Sequence, residues 1–159
     1  MEETGFAAQA ALDGGPCAVG LESTVVSVME GRVRLLRPGG LARGSIEALV
    51  GPLSEAEDEA RRSPGRLTRH YAPHAPLRLN AAAPLPGEAY LAFGPATEGP
   101  GVFNLSPAAD VNQAAQRLFA ALREADRLNP TAIAVAPIPR EGLGEAINDR
   151  LKRAAGFIG

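Results

Sequence analysis

The sequence predicts an α/β protein: a β-rich first third, an irregular arginine- and proline-rich middle, and a last half in which strands and helices alternate around a small, mainly parallel sheet. Three observations carry this. The β-branched run Thr24-Val25-Val26-Ser27-Val28-Met29 is followed, after Glu30-Gly31-Arg32, by Val33-Arg34-Leu35-Leu36-Arg37, which is hairpin patterning. Val111, Ala114, Ala115, Leu118, Leu122 and Ala125 fall at helical spacing. The nearly unbroken apolar run from Ala132 to Ile138 reads as a parallel strand covered on both faces.

Residues 1–15 read as the tail of something, a short apolar stretch closed by Asp13-Gly14-Gly15-Pro16. The hairpin comes next and stops at Pro38-Gly39-Gly40. Ser45 can cap a short helix carrying Ile46, Leu49 and Val50, which Gly51-Pro52 ends. Residues 55–62 are highly charged and read as solvated. Arg61 to Pro76 holds four arginines, two histidines, a tyrosine and no acid, and three prolines and a glycine exclude both a helix and a central strand. Such a rigid cationic segment is either a linker or a loop that closes over an anion.

Beyond Pro76 the pattern changes. Leu77-Arg78-Leu79, Ala89 to Phe93 and Gly101 to Leu105 are strand candidates. Ser106-Pro107 reads as a helix start, a capping serine followed by a first-turn proline. Asn129-Pro130 ends that helix, the apolar strand follows, and Gly142-Leu143-Gly144 leads into a last helix through Ala155. Strand, helix, strand, helix in this order implies a right-handed βαβ unit.

Composition narrows the function. The 159 residues suit one ordinary domain or two small pieces, and 45% apolar with 21% charged residues fits a globular chain. A formal charge of −2 makes no whole-molecule case for nucleic acid. One cysteine, Cys17, excludes an intramolecular disulfide, suits a reducing compartment and reads as a buried small residue. The acidic start leads into no signal-type core, and no run approaches the roughly 20 apolar residues of a membrane span. A cytoplasmic protein without a membrane partner is expected.

Several residues could carry chemistry. Ser23 and Thr24, after Gly20, could offer hydroxyls and backbone N–H groups to a ligand, or be ordinary strand residues. Arg37, before Pro38-Gly39, presents the planar fork that suits phosphate or carboxylate, or is a plain strand-end arginine. Tyr71 could stack on a base or touch phosphate, or pack the linker onto a domain. His70 and His74 are spaced as helical metal ligands would be, but Pro73 between them argues against a helix, and no metal site is expected. Gly142-Leu143-Gly144 could admit an anion at a helix start, although the structural role is favoured. Asn148-Asp149-Arg150 reads as a polar surface or interdomain patch.

Together these pieces resemble a specific family. Gly20-Leu21-Glu22-Ser23-Thr24-Val25-Val26, then Leu36-Arg37-Pro38-Gly39, then Ser63-Pro64-Gly65 with His70-Tyr71-Ala72-Pro73, is similar to the threonylcarbamoyl-AMP synthases of the two-domain type. Pro137-Ile138-Pro139 and the string from Gly142 to Leu151 resemble the end of the same proteins. The resemblance implies residues 1–53 as the last part of a YrdC-like catalytic α/β domain, 54–75 as an interdomain linker and lid, and 76–159 as a small Rossmann-like domain. It also implies a reaction: threonine, bicarbonate and ATP, with Mg²⁺, give threonylcarbamoyl-AMP and pyrophosphate for tRNA modification, whose machinery is an indirect partner. Carried over by motif, Ser23 contacts L-threonine, while Arg37 and Tyr71 contact ATP.

The family's upstream phosphate site, which uses a lysine, has no match here, since the one lysine is Lys152. The chain therefore resembles the C-terminal half of such an enzyme and is expected to be inactive alone, with no catalytic residue of its own. Residues 13–50 are then expected either to be disordered or to find partner strands in a homodimer. Two other readings stand beside this one. The first is a free-standing accessory module that binds a nucleotide or a partner without catalysis. The second is an RNA-binding module using Arg66 and Arg69.

Overall fold

The computed structural model describes residues 10, 12, 14–15, 17–55, 72–96 and 98–156, the side chain of Glu55 excepted. The arginine-proline segment from 61 to 71, with His70 and Tyr71, lies outside the described residues.

The hairpin forms as the β-branched pattern predicts. β1 (Val25–Met29) pairs antiparallel with β2 (Arg32–Arg37). Arg32 belongs to the strand, opposite Met29, so the loop is Glu30-Gly31 alone. Both loop residues have positive φ, 51° and 72°, as a type I′ turn requires to match the strand twist. α1 (Arg43–Val50) follows. Its expected cap is corrected: Ser45 lies inside the helix and its N–H bonds to the carbonyl of Ala42, the true N-cap residue, which offers no side-chain bond. β3 (Ser54–Glu55), unforeseen in the sequence, pairs parallel with Arg34 and Leu35 of β2. Two residues hold no periodicity to read, and they complete the first sheet, ordered β1-β2-β3.

The second sheet is wholly parallel among the described residues. β4 (Leu77–Arg78), β5 (Ala89–Ala92), β6 (Val102–Asn104) and β7 (Ile133–Val135) lie in the order β4-β7-β5-β6. The apolar run around β7 thus sits between two neighbours, with all three strand residues buried. α2 (Val111–Asp126) packs on β5, β6 and β7 through Ala114, Ala115, Leu118, Ala121, Leu122 and Ala125. α3 (Leu143–Ala154) packs on α2 and adds Ile147 and Leu151 to the core. Each large side chain so buried contributes about 1.5–3 kcal/mol. Glu145 in the first turn of α3, and Lys152 with Arg153 in the last, complement its dipole.

The start of α2 differs from expectation. Ser106 and Pro107 precede a turn in which Ala109 takes a positive φ of 56°, and no helix passes through that conformation. Asp110 is extended and caps instead, its Oδ1 accepting from the Asn112 N–H at 2.8 Å. Ser106 is fully buried, and its Oγ accepts from the Asp110 N–H at 2.9 Å. Cys17 is exposed, not buried: it lies in an irregular stretch before β1. None of the described helices is long and apolar enough to cross a membrane.

Candidate functional site

The motifs carrying Ser23 and Arg37 meet at the open end of the hairpin. Val25 and Arg37 are register partners, so the chain entering β1 and the chain leaving β2 run side by side. Hydrogen bonds stitch them together. The Gly40 N–H donates to the Glu22 carbonyl at 2.7 Å, and Arg37 Nη2 donates to the Ser23 carbonyl at 2.8 Å. Thr24 Oγ1 donates to the Leu41 carbonyl at 2.6 Å and accepts from the Leu41 N–H at 3.1 Å. Gly39 lies so close beneath Glu22, Ser23 and Thr24 that a Cβ on it would overlap their backbone.

This junction also docks on the helices of the second sheet. Gly20, at φ +74°, sits against the backbone of Ala115 and Gln116 with no room for a Cβ. Gln116 Nε2 donates to the Ala18 carbonyl at 2.6 Å, and Leu21 packs on the main core. From α3, Arg150 Nε donates to Glu22 Oε2 at 2.7 Å. From α1, Arg43 reaches Glu145 of α3 at 2.7 Å. Sequence positions 128 residues apart thereby become neighbours.

Charge is concentrated here. Burial alone would raise the Glu22 carboxyl, but the Arg150 bond, the residue's own N–H, and the charges of Arg150 and Arg37 hold it below the usual range. Arg37 Nε and Arg150 Nη2 are both buried without a partner among the described residues. The guanidinium of Arg37, held on the Ser23 carbonyl beside the exposed Ser23 side chain, makes a setting suited to an anionic ligand, carboxylate or phosphate, while Arg150 is met by the carboxylates of Glu22 and Asp149.

Of the predicted site residues, Ser23 and Arg37 come together through the Ser23 carbonyl, and Tyr71 lies outside the described residues. His74 stands apart from this junction: its ring Nδ1 is 2.9 Å from Asp126 Oδ2, and that carboxylate also accepts the N–H groups of His74 and Ala75. Among the described residues no group of three or more His, Cys, Asp or Glu could hold a metal ion. Of the two glycines at this helix start, Gly142 takes a positive φ of 58° in open space, and Gly144 serves packing. A Cβ on Gly144 would overlap the Pro139 carbonyl, and the Asn148 amide bonds to the carbonyls of Ile138, Pro139 and Gly144. Sequence reasoning missed Glu22 and Arg150 as a pair. Arg150 was visible as part of a polar patch, but nothing local to either residue names the other.

The family described as threonylcarbamoyl-AMP synthase, C-terminal domain, matches residues 41–156. The chain is 33% identical to a threonylcarbamoyl-AMP synthase of Bacillus subtilis, covering 91% of the chain and 48% of the relative. It is 32% identical to one of Pyrococcus abyssi, covering 92% and 49%. It also resembles the crystal structure of P. abyssi Sua5 complexed with L-threonine, with a TM-score of 0.76 and 29% identity over 92% of the chain and 49% of that structure. A variant of P. abyssi Sua5 with an adjacent His-Tyr pair changed to alanine matches with a TM-score of 0.71 at 26% identity, over 91% of the chain and 48% of that structure. The chain spans about half the length of the curated relatives it matches.

Proposed function

Because this chain belongs to the threonylcarbamoyl-AMP synthase family, we propose that it provides the C-terminal half of an L-threonylcarbamoyladenylate synthase acting in tRNA modification. The observation that carries this is the stitched junction of residues 20–24 and 37–41, which fixes an arginine beside an exposed serine. In the reaction the threonine amine takes up bicarbonate with loss of water. The resulting carbamate oxygen attacks the α-phosphate of ATP, and pyrophosphate leaves. Ser23 is then a contact to threonine, and Arg37 supplies positive charge to the triphosphate, where charge stabilisation is worth most in a site that excludes water. The relative crystallised with L-threonine supports threonine as the amino-acid substrate.

Tyr71 is proposed as a further ATP contact. The chain's one His-Tyr pair is His70-Tyr71, and a His-Tyr pair was the target chosen for substitution in P. abyssi Sua5. ATP carries Mg²⁺ in this reading, but the described residues offer no cluster to grip the ion, so no step is assigned to it here. With a single lysine on α3, far along the chain from both motifs, the phosphates lack the lysine that the family resemblance calls for. The chain alone is therefore expected not to release pyrophosphate from ATP with threonine and bicarbonate. Release at the rate of a full-length relative assayed alongside would overturn that expectation. Failure of L-threonine and ATP to shift the amide resonances of Ser23, Thr24 and Arg37 would remove the assigned contacts.

A further inference from the structure

We propose that Arg150 is a positioning residue, an α3 side chain that fixes Glu22 and through it the backbone on which Ser23 and Arg37 meet. The ligand half of this rests on the reading of Ser23 and Arg37 given above; the positioning half does not.

Arg150 is 9% exposed. A guanidinium buried to that degree is costly to desolvate and persists only where carboxylates meet it closely. Two do, from different parts of the molecule. Glu22 Oε2 takes Nε at 2.7 Å, and Asp149 Oδ2 takes Nη1 at 2.6 Å. Asp149 is itself steadied by Arg153, which donates to both of its oxygens at 2.8 and 3.1 Å. The guanidinium is thus clamped on one edge by its own helix and presents the other to Glu22. Its Nη2 is buried without a partner among the described residues, so the geometry serves the Glu22 contact at the expense of full satisfaction.

Glu22 is the point where this matters. Its carbonyl receives the Gly40 N–H, its neighbour's carbonyl receives Arg37, and the next residue exchanges two hydrogen bonds with Leu41. Fixing one carboxylate therefore fixes the register of both motifs. A pair needed only for stability could be replaced by apolar packing at little cost, because buried ion pairs are weak stabilisers. Here the partner sits next to the proposed threonine contact, and Arg37 is near enough for its charge to help hold the carboxylate ionised.

The test uses the chain itself. Hydrogen exchange is read at the Gly40 and Leu41 amides, whose acceptors are the Glu22 carbonyl and Thr24 Oγ1, and at Ala114 and Ile133 as core references. In R150M the two junction amides are expected to exchange about tenfold faster while the references stay unchanged. R150K, keeping the charge, falls between R150M and wild type. R78M, which breaks an ion pair away from the junction, leaves Gly40 and Leu41 as they are. Should R150M fail to fold, E22Q gives the same reading, since it weakens the contact while Asp149 still pairs Arg150. Junction amides as slow in R150M (or in E22Q) as in wild type, or all amides loosened equally, would overturn the proposal. The second readout is titration with L-threonine. R150M weakens the response of Ser23 and Thr24 about fivefold or more, a loss of about 1 kcal/mol, and R78M does not. If wild type itself gives no response, the ligand assignment fails, and the exchange data still decide the positioning role.

Discussion

A Cβ built on Gly39 overlaps the backbone of Glu22, Ser23 and Thr24, whereas one built on Gly44, at the start of α1, meets nothing within 4 Å. Neither glycine is held at a positive φ, so the two differ in space and not in backbone conformation. Gly39→Ala must push the two motifs apart and is expected to destabilise by roughly 1–3 kcal/mol, the usual cost of overpacking. Gly44→Ala gains helix propensity and is expected to be neutral or stabilising by up to about 1 kcal/mol. Denaturant midpoints of the two variants check this, and equal shifts would mean that the motifs do not touch as described. At this scale the sequence was only partly readable. The Pro38-Gly39 step showed where β2 stops, but not that Gly39 is needed for another segment's backbone. Likewise Ser23 and Arg37 were visible as candidates, while Glu22 with Arg150 was not, because a pair 128 residues apart leaves no local pattern.

Elements were legible where period and length were strong. β7, α2 and α3 follow from apolar runs and helical spacing, and the hairpin turn from its place between two strand candidates, although it reads as Glu30-Gly31-Arg32 and Arg32 belongs to β2. Legibility fell at boundaries, where one residue's conformation decides. Ser106-Pro107 has the composition of a helix start, but the helix begins only at Val111 because Ala109 takes a positive φ first. The structure gives the two side chains separate jobs: Ser106 Oγ takes the Asp110 N–H, and Asp110 Oδ1 takes the Asn112 N–H. Asp110→Ala should therefore cost about 1 kcal/mol, with Asp110→Asn close to wild type, as for an N-cap. Thermal unfolding checks it. A cost for Asp110→Asn equal to that for Asp110→Ala would mean that the charge, not the capping bond, is what the helix uses. β3 was missed for the opposite reason. A two-residue strand exists only through its partner β2, and nothing in Ser54-Glu55 announces that pairing.

Across the whole molecule, carboxylates tie together segments that the chain separates. Glu22 joins the first sheet to α3, Asp126 holds the N–H groups of His74 and Ala75 at the end of α2, and Glu88 grips Arg78 and the Leu85 N–H. All three titrate below their ordinary values. Burial opposes this for Glu22 and Asp126, and hydrogen bonds with nearby positive charge overcome it. For Glu88 the Arg78 bond leads, and the carboxyl is lowered from 4.5 to about 2. A depressed carboxylate pKa means that the unfolded chain takes up its proton first as pH falls. The stabilisation from Glu88 is thus fully present above 4.5 and is lost as pH falls toward about 2. Glu88→Gln should be less stable than wild type at neutral pH, and its deficit should shrink through that window until the two curves meet near its lower end. Denaturant unfolding across the acid range reads this directly, and a deficit that stays constant with pH would show that the lost packing of the side chain, not its charge, accounts for the difference. Glu22→Gln should converge on wild type in the same direction. Its convergence should appear at the Gly40 amide before it appears in global unfolding, because that carboxylate joins two packed units instead of bracing one.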